Sequence, residues 1–350
     1  MFTVDGLDTR QLLEKFNPFL AILPQDFSRP RPYQPWFTRS KAPRGDYHPC
    51  TAEFFLSYVL VRTDGARQYG RGNPSHATPL GLEELRKLVA RTDPNATFDW
   101  EIDIAPIESQ KPARAWPAYA KMVEEYYGVS PFECVVHARA VPCGDHIALQ
   151  YWYLYGYNDA GNYHEGDWEM VTLDLDAGGT PLRAGYSGHE SGFQRPWERI
   201  QKKDGRPIVY VARGSHAAYF EHKKDGHRTK SLPNHKGLPW LIDLLVRRIQ
   251  KAIIDVIVFV RWNDHTATHP DYPGDEPWNQ GVFVLPRVVE LIPIDQVTPD
   301  GPHWWMRIQC RWGSRHARLR GTAAPSPAWE QADSYDDPIV WIDGLDPGRG

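Results

Sequence analysis

One histidine and three carboxylates lie within six residues of the sequence, at the point where an apolar strand begins. The stretch reads "YHEGDWEMVTLDLD" and covers residues 163 to 176. Side chains alternate between the two faces of a strand, so Asp167 and Glu169 point to the same side, in line with Val171. An unpaired charge that faces a core is costly, so these carboxylates need a cation. A divalent ion would neutralise both of them.

A histidine and an aspartate just before this strand extend the predicted site. His164, three residues before Asp167, can turn its imidazole to the same point, and Asp159 offers a further oxygen. We therefore predict a metal site made of His164, Asp167, Glu169 and Asp159, from which Glu165 points away. A second interpretation stays open, in which arginines pair with the two carboxylates and His164 caps the turn.

Two further histidines each follow a predicted strand. His189 lies in "YSGHESG" and His216 in "ARGSHAA", both in turns with Gly and Ser. Binding residues often lie on loops at strand ends, so the two histidines are candidates for the same pocket, with either as a general base. Taken singly, each histidine is more often a hydrogen-bonded loop residue. Arg213 is a candidate for contact with an anion.

Composition limits the kinds of partner. The 350 residues include 14 Trp and 17 Tyr, which favours β structure or a surface that stacks on sugars or lipid headgroups. We expect Trp152, Tyr155 and Tyr157 to contact such a ligand. The net charge of −4 argues against a nucleic-acid partner. The acidic start of the chain, without an apolar run, predicts a cytoplasmic protein.

Short apolar runs between Gly and Pro turns predict a mainly β protein with an antiparallel β-sandwich core and peripheral helices. A helix is predicted at 79–92, and a hairpin around a Pro-Cys-Gly-Asp turn joins two of the strands. The strands are predicted at 51–62, 132–141, 147–155, 168–175, 182–186, 208–213, 281–285 and 304–312.

The predicted domain organisation is one folded unit with two extensions. Residues 1–46 form an extended arm, 47–330 a single β-sandwich domain, and 331–350 a loosely ordered tail. A helical insertion near 238–260 carries a charged stripe that excludes a membrane span. The helix packs on the sheet or lies on a membrane surface.

Several blocks of the sequence resemble the Vps62 family, named after a vacuolar protein sorting protein. They are "QYWYLYGYNDAGNYHEGDWEMVTLDLD", "GYSGHESGFQRPW" and "GRPIVYVARGSHAAYF", in the family's order and approximate spacing. The resemblance extends from about residue 47 to residue 329. It implies membership of a family of unknown biochemistry.

The block "YHEGDWE" also resembles the heptapeptide of necrosis- and ethylene-inducing toxin-like proteins. That resemblance implies a β-sandwich that holds a divalent cation needed for membrane damage. The family's metal-binding His, Asp and Glu fall on His164, Asp167 and Glu169, and its upstream aspartate is nearest to Asp159 or Asn158. Gly166 stands where the family has a histidine.

Two functions follow from these residues. The first is a protein that uses a divalent cation to bind a polar headgroup or glycan, with contact to a membrane surface left open. The second is a metal-dependent hydrolase of a phosphoryl, glycosyl or acyl substrate, with His189 or His216 as general base. We favour binding over catalysis. Oxygen ligands favour Ca²⁺ or Mg²⁺, whereas two or more imidazoles would favour Zn²⁺ or Mn²⁺.

Overall fold

A computed structural model of the 350-residue chain describes most of its elements. The described residues are 2–24, 31–32, 43–44, 47–62, 81–90, 101–104, 112–128, 132–158, 164–188, 191–222, 266, 269–271, 280–308, 312, 327–328 and 332–347. The insertion predicted near 238–260 lies outside them.

The described chain is mainly β, as predicted, with several helices. The helices are α1 (Thr9–Phe16), α2 (Ala52–Leu56), α3 (Leu82–Ala90), α4 (Pro112–Tyr127), α5 (Ala332–Asp336) and α6 (Pro338–Asp343). The strands are β1 (Phe19–Ile22), β2 (Arg31–Pro32), β3 (Pro43–Arg44), β4 (Val59–Arg62), β5 (Glu101–Ile104), β6 (Val135–Cys143), β7 (His146–Asn158), β8 (His164–Asp176), β9 (Pro181–Gly188), β10 (Ser191–Pro196), β11 (Lys202–Lys203), β12 (Arg206–Val211), β13 (Ala218–Tyr219), β14 (Val282–Val284) and β15 (Arg287–Glu290). Short 3₁₀ helices cover Trp197–Arg199, Ile294–Gln296 and Trp304–Arg307. Within the described residues, no helix has the length and apolar character needed to cross a membrane.

The larger sheet has the order β10-β9-β8-β7-β6-β15. Its neighbours are antiparallel except for β15, which runs parallel to β6. The two longest strands, β7 and β8, form its centre and are almost wholly buried. The predicted hairpin is confirmed, since Cys143 pairs with His146 across a turn in which Gly144 has a φ of 63°.

The smaller sheet has the order β11-β12-β1-β14, with β13 paired to β12. It is mixed, because β1 runs parallel to β12 and antiparallel to β14. Its residues Leu20 and Val209 join the main core. Tyr186 of the larger sheet stacks on Phe220 at 3.8 Å and donates its hydroxyl to the carbonyl of Ile208. The two sheets thus face each other across the core.

The opposite face of the larger sheet packs against the C-terminal part of the chain. Trp168 stacks on Trp305 at 5.9 Å and meets Trp312 edge-on at 5.4 Å. Further along this face, the guanidinium of Arg139 lies 3.2 Å from the ring centre of Tyr335 in α5. Tyr335 is buried, so the prediction of a loosely ordered tail over 331–350 is wrong for the described residues 332–347.

The prediction of an extended arm over 1–46 is also wrong for the described residues 2–24. Residues Thr9–Phe16 form α1, which begins at a capping box between Asp8 and Gln11. The helix buries Leu12, Leu13 and Phe16 against the core, because these residues recur on one helical face. Strand β1 then enters the middle of the smaller sheet.

Two of the predicted strands begin as helices. At 51–62, Thr51 accepts a hydrogen bond from the Phe54 amide and so caps α2, which leads into β4. At 304–312, the residues Trp304–Arg307 form a 3₁₀ helix. Its first three residues are all buried. The helix predicted at 79–92 is confirmed as α3.

Candidate functional site

The predicted metal residues lie where β7 ends and β8 begins. In the register of this strand pair, His164 faces Asn158, Asp167 faces Tyr155 and Glu169 faces Tyr153. All three metal candidates are buried, with His164 3% exposed and each carboxylate residue 8% exposed. The polar groups therefore lie at one end of the sheet, in a setting where an unpaired charge would be costly.

Asp167 is the centre of the described polar contacts. One carboxylate oxygen, Oδ2, accepts hydrogen bonds from Nδ1 of His216 at 2.8 Å and from the amide of Asn158 at 3.1 Å. Burial by itself raises the pKa of Asp167, but the His216 hydrogen bond and the nearby imidazole of His164 outweigh it and lower the pKa below its usual value. Asp167 is therefore a carboxylate held in its ionised form.

A tight turn and two aromatic rings position His216. The turn follows β12, and both Gly214 and His216 have left-handed backbone angles, with φ of 76° and 58°. A histidine in this conformation stores local strain, which is common at functional sites. Tyr155 stacks on the imidazole at 4.0 Å with an interplanar angle of 5°, and Tyr47 meets it edge-on at 6.2 Å. The ring is thus fixed on two sides.

The backbone of its own strand holds the His164 imidazole. Nδ1 lies 3.2 Å from the carbonyl of Glu165 and 3.1 Å from that of Gly166, so it acts as a donor. In this tautomer Nε2 carries the lone pair. Histidines that bind metals commonly donate their other ring nitrogen to a backbone carbonyl in this way, because the hydrogen bond fixes tautomer and orientation.

Gly166 allows β8 to pass very close to the C-terminal segment. Its φ is 60°, and a side chain there would begin 1.9 Å from the carbonyl oxygen of Trp312 and 3.0 Å from Phe55. A histidine, which the toxin-like heptapeptide has at this position, would not fit. The close contact with Trp312 thus explains why this chain has glycine instead of histidine at position 166.

Glu169 is held by a neighbouring strand. Its Oε2 accepts a short hydrogen bond from the hydroxyl of Ser187, which in turn accepts the amide of Met170 at 2.8 Å. Glu165, expected to point away, is 1% exposed and faces Tyr157 in the register, two places from the Asp167 pair. Gly166, with its left-handed backbone, lies between the two residues, so the direction predicted for Glu165 stays a prediction.

The predicted ligand-binding aromatics are packing residues. Tyr155 and Tyr157 lie beside the site but are 1% and 2% exposed, and one face of Tyr155 is covered by His216. Trp152 is fully buried on the other face of β7, near Tyr335. None of the three presents an exposed ring to a ligand. Arg213 lies half-buried in the turn that carries His216.

Three atoms at or near Asp167 that could bind a metal have no hydrogen-bond partner among the described residues. They are Oδ1 of Asp167, Nε2 of His164 and Nε2 of His216. Within the same residues, no three His, Cys, Asp or Glu side chains form a group close enough to hold a metal. The remaining predicted members, Asp159 and His189, lie outside the described part of the chain. Carboxylate oxygens and imidazole nitrogens are atom types that bind divalent ions in proteins in general.

Sequence reasoning missed two supporting residues, Ser187 and Tyr47, and named Asn158 only as an alternative to Asp159. Asn158 directly precedes the predicted ligand Asp159, and its position opposite His164 follows from the hairpin register. Ser187 directly follows the strand predicted at 182–186, so its position beside β8 could have been predicted from the sequence. Tyr47 comes from a distant part of the chain, and no local pattern indicates its contact with His216.

No protein-family model matches the chain, and neither does any curated protein. Solved structures with a weak resemblance are necrosis- and ethylene-inducing proteins. NLPPya in complex with glucosamine is 20% identical over 24% of this chain and 43% of that one, with a TM-score of 0.22. Necrosis and Ethylene inducing Protein 2, from the causal agent of cocoa's Witches Broom disease, is 20% identical over 25% and 45%, with a TM-score of 0.23.

A third structure, described as a toxin fold for microbial attack and plant defense, is 17% identical over 30% of this chain and 51% of that one, with a TM-score of 0.23. The chain therefore spans about half the length, or less, of these proteins. Alignments of this extent carry no argument about function.

Proposed function

We propose that this protein binds a divalent cation at the start of β8 and uses it to hold a polar ligand such as a glycan or an anionic headgroup. The observation that carries the proposal is the state of Asp167. Its pKa is lowered, one oxygen is held by His216 and Asn158, and the other oxygen has no partner among the described residues. A buried carboxylate that is held ionised, with one oxygen left over, would be stabilised by a cation.

The residues around Asp167 suit an ion with mixed ligands. Asp167 Oδ1 would supply an anionic oxygen and Nε2 of His164 a neutral donor, while His216, bonded to Oδ2 through Nδ1, would hold the carboxylate in place. Glu169, oriented by Ser187, adds a second negative charge. One imidazole with carboxylate oxygens suits Mg²⁺ or Ca²⁺, and a second imidazole ligand would favour Zn²⁺ or Mn²⁺. When bound, the ion would attract hydroxyl, phosphate or carboxylate oxygens of a ligand.

Because Tyr155 and Tyr157 are buried, we propose that a ligand is recognised without stacking on these rings. Tyr155 and Tyr157 are covered, so they position His216 and the strand rather than stack on a sugar. Specificity would then come from the cation and the polar groups around it. Membership of the Vps62 family, a cytoplasmic location and peripheral contact with a membrane are parts of the same proposal.

Elemental analysis of purified protein tests the cation site. We expect a bound divalent metal in the native protein and its loss in Asp167→Asn, because the amide keeps the shape but removes the charge. Asp176→Asn, at the far end of the same strand, is the matched control and should keep the metal. Equal metal content in Asp167→Asn and Asp176→Asn would refute the site.

Chelation provides a second measurement. A ligand that binds only the folded state stabilises it by mass action, so EDTA should lower the melting temperature of the native protein. The same treatment should leave the melting temperature of Asp167→Asn unchanged. An identical response of the two proteins would show that the chelator acts elsewhere.

A second function, hydrolysis, is favoured by the orientation of His216. Asp167 accepts the Nδ1 proton, and Nε2 is left as a potential proton acceptor, which is the arrangement of an oriented general base. Turnover of p-nitrophenyl phosphate, acetate or glycoside that is lost in His216→Asn, with metal content kept, would establish the enzyme. The absence of turnover with all three compounds would favour binding.

A further inference from the structure

A cysteine, a histidine and an aspartate are neighbours near the turn between β6 and β7, on the sheet face opposite to that of Asp167. Cys143 and His146 are directly paired across this turn, so their Cβ atoms are about 4.5–5.5 Å apart. Asp174 of β8 faces Ala148, which lies two residues after His146 on the same side of β7. The three side chains therefore share one face of three adjacent strands.

Asp174 fixes the orientation of the His146 imidazole. Nδ1 of His146 lies 2.6 Å from Oδ1 of Asp174, and Oδ2 of the same carboxylate accepts a hydrogen bond from Nε of Arg183 at 2.8 Å. Asp174 is fully buried, so both of its oxygens are held. The neutral imidazole then carries its proton on Nδ1 and keeps the lone pair on Nε2. Because Nδ1 is directed to β8, Nε2 is turned away from that strand.

The Cys143 thiol lies within reach of solvent and of this imidazole. Cys143 is half-buried, and 38% of the His146 side chain is exposed. The thiol donates to the carbonyl of Val141 in its own strand at 3.5 Å, and rotation about its Cα–Cβ bond turns the sulfur toward β7. Contacts of this kind often form only when the substrate is bound. Burial raises the pKa of the thiol, so it is protonated at neutral pH and needs a base to become a nucleophile.

A nucleophile, a base and a carboxylate that orients the base are the parts of a catalytic triad. We propose that Cys143 and His146, with Asp174 in support, hydrolyse small activated acyl compounds such as thioesters and aryl esters. Activated compounds are specified because their leaving groups depart readily, and small ones because the thiol is half-buried.

The proposed reaction has two steps. In the first, Nε2 of His146 takes the thiol proton while the sulfur of Cys143 forms a bond to the acyl carbon. The bond to the leaving group breaks, and that group departs with the proton. In the second step, water attacks the acyl carbon, and His146 takes a proton from the water and returns it to the sulfur. The products are the free acid and the leaving group, without any oxidant or reductant.

Reaction with p-nitrophenyl acetate tests the nucleophile. We expect a burst of p-nitrophenolate stoichiometric with the protein, and mass spectrometry of peptides should find the acetyl group on Cys143. The reaction contains EDTA, which separates it from any metal-dependent hydrolysis at Asp167. Cys143→Ala should lose the burst. Cys134→Ser, which changes another half-buried cysteine, is the matched control and should keep it.

Two variants of His146 test the base. His146→Asn should slow the acetylation of Cys143 at least about 100-fold, because a positioned general base contributes about 10²–10⁴ in rate. His146→Gln is a second variant with the same expected loss, and melting temperatures show which of the two remains folded.

Asp174 acts through His146, so it is a positioning residue with its own measurement. Long-range ¹H–¹⁵N spectra should show the ring proton of His146 on Nδ1 in the native protein. In Asp174→Asn the proton should move to Nε2, because an amide can donate to Nδ1. Loss of packing alone would not produce this exchange of tautomers.

The proposal is overturned by any one of three results. Acetylation of Cys143 that is no faster than that of Cys134 would show an ordinary thiol. An unchanged rate in a folded variant of His146 would remove the base. A native His146 ring with its proton on Nε2 would leave no lone pair to accept the thiol proton.

Discussion

Replacing Gly166 by alanine measures the close contact between the site strand and the C-terminal segment. Two costs add. The φ of 60° lies in the left-handed region, which costs an L residue about 1–2 kcal/mol. The new methyl group would also begin 1.9 Å from the Trp312 carbonyl oxygen, and such overpacking costs about 1–3 kcal/mol. We expect Gly166→Ala to lower the free energy of unfolding by about 2–5 kcal/mol.

Gly144→Ala separates the two costs. Gly144 has a similar φ of 63°, but nothing lies within 4 Å of the position that its side chain would take. This control should therefore show the conformational cost alone, about 1–2 kcal/mol. Urea unfolding followed by tryptophan fluorescence compares the two variants with the native protein. If Gly166→Ala is no less stable than Gly144→Ala, the close approach of the Trp312 backbone to β8 is refuted.

Two further predictions concern buried ionisable groups. Burial lowers the pKa of His48 to about 4 and that of His137 to about 3, below the ordinary 6.5. Between each lowered pKa and pH 6.5, the unfolded chain therefore binds more protons than the folded protein. The free energy of unfolding should therefore fall below pH 6.5 by about 1.4 kcal/mol per pH unit for each histidine. Urea midpoints that do not change between pH 7.5 and 5 would contradict this. Asp174, fully buried and bonded to Arg183 at 2.8 Å, should cost roughly 3 kcal/mol when changed to Ala. Asp343 also pairs with Arg183, but its side chain is 58% exposed, so Asp343→Ala should lower the free energy of unfolding by less than about 1 kcal/mol. Equal shifts of the melting temperature in the two variants would contradict this difference between the buried and the exposed ion pair.

Sequence patterns that lie within a single strand or hairpin were sufficient to predict the central strands of the larger sheet. Alternation and a Pro-Cys-Gly-Asp turn predicted β6 and β7, and alternation also placed Asp167 and Glu169 on one face. Short-range capping signals were equally present in the sequence. Asp8 and Gln11 form a capping box that marks the start of α1, and overlooking it led to the wrong prediction of an extended arm.

Aromatic residues caused the main errors elsewhere. Trp304 and Trp305 have a high preference for strands, yet they lie in a 3₁₀ helix because the tertiary contact with Trp168 outweighs local preference. The same burial explains why Tyr155 and Trp152 do not offer rings to a ligand. Aromatic content in the sequence indicates where rings are numerous, but it does not indicate which of them remain in solvent.

The contact between Gly166 and Trp312 shows why the chemistry of the site depends on a segment that no local motif predicts. His164 is oriented by the carbonyls of Glu165 and Gly166, and the path of these carbonyls depends on the left-handed turn of the backbone at Gly166. Glycine adopts this conformation without strain, and its missing side chain also leaves room for the Trp312 carbonyl. The supporting atom belongs to the backbone, so substitution of the Trp312 side chain would leave it in place. A change at Gly166, read against Gly144→Ala, therefore tests whether the C-terminal segment helps to orient His164.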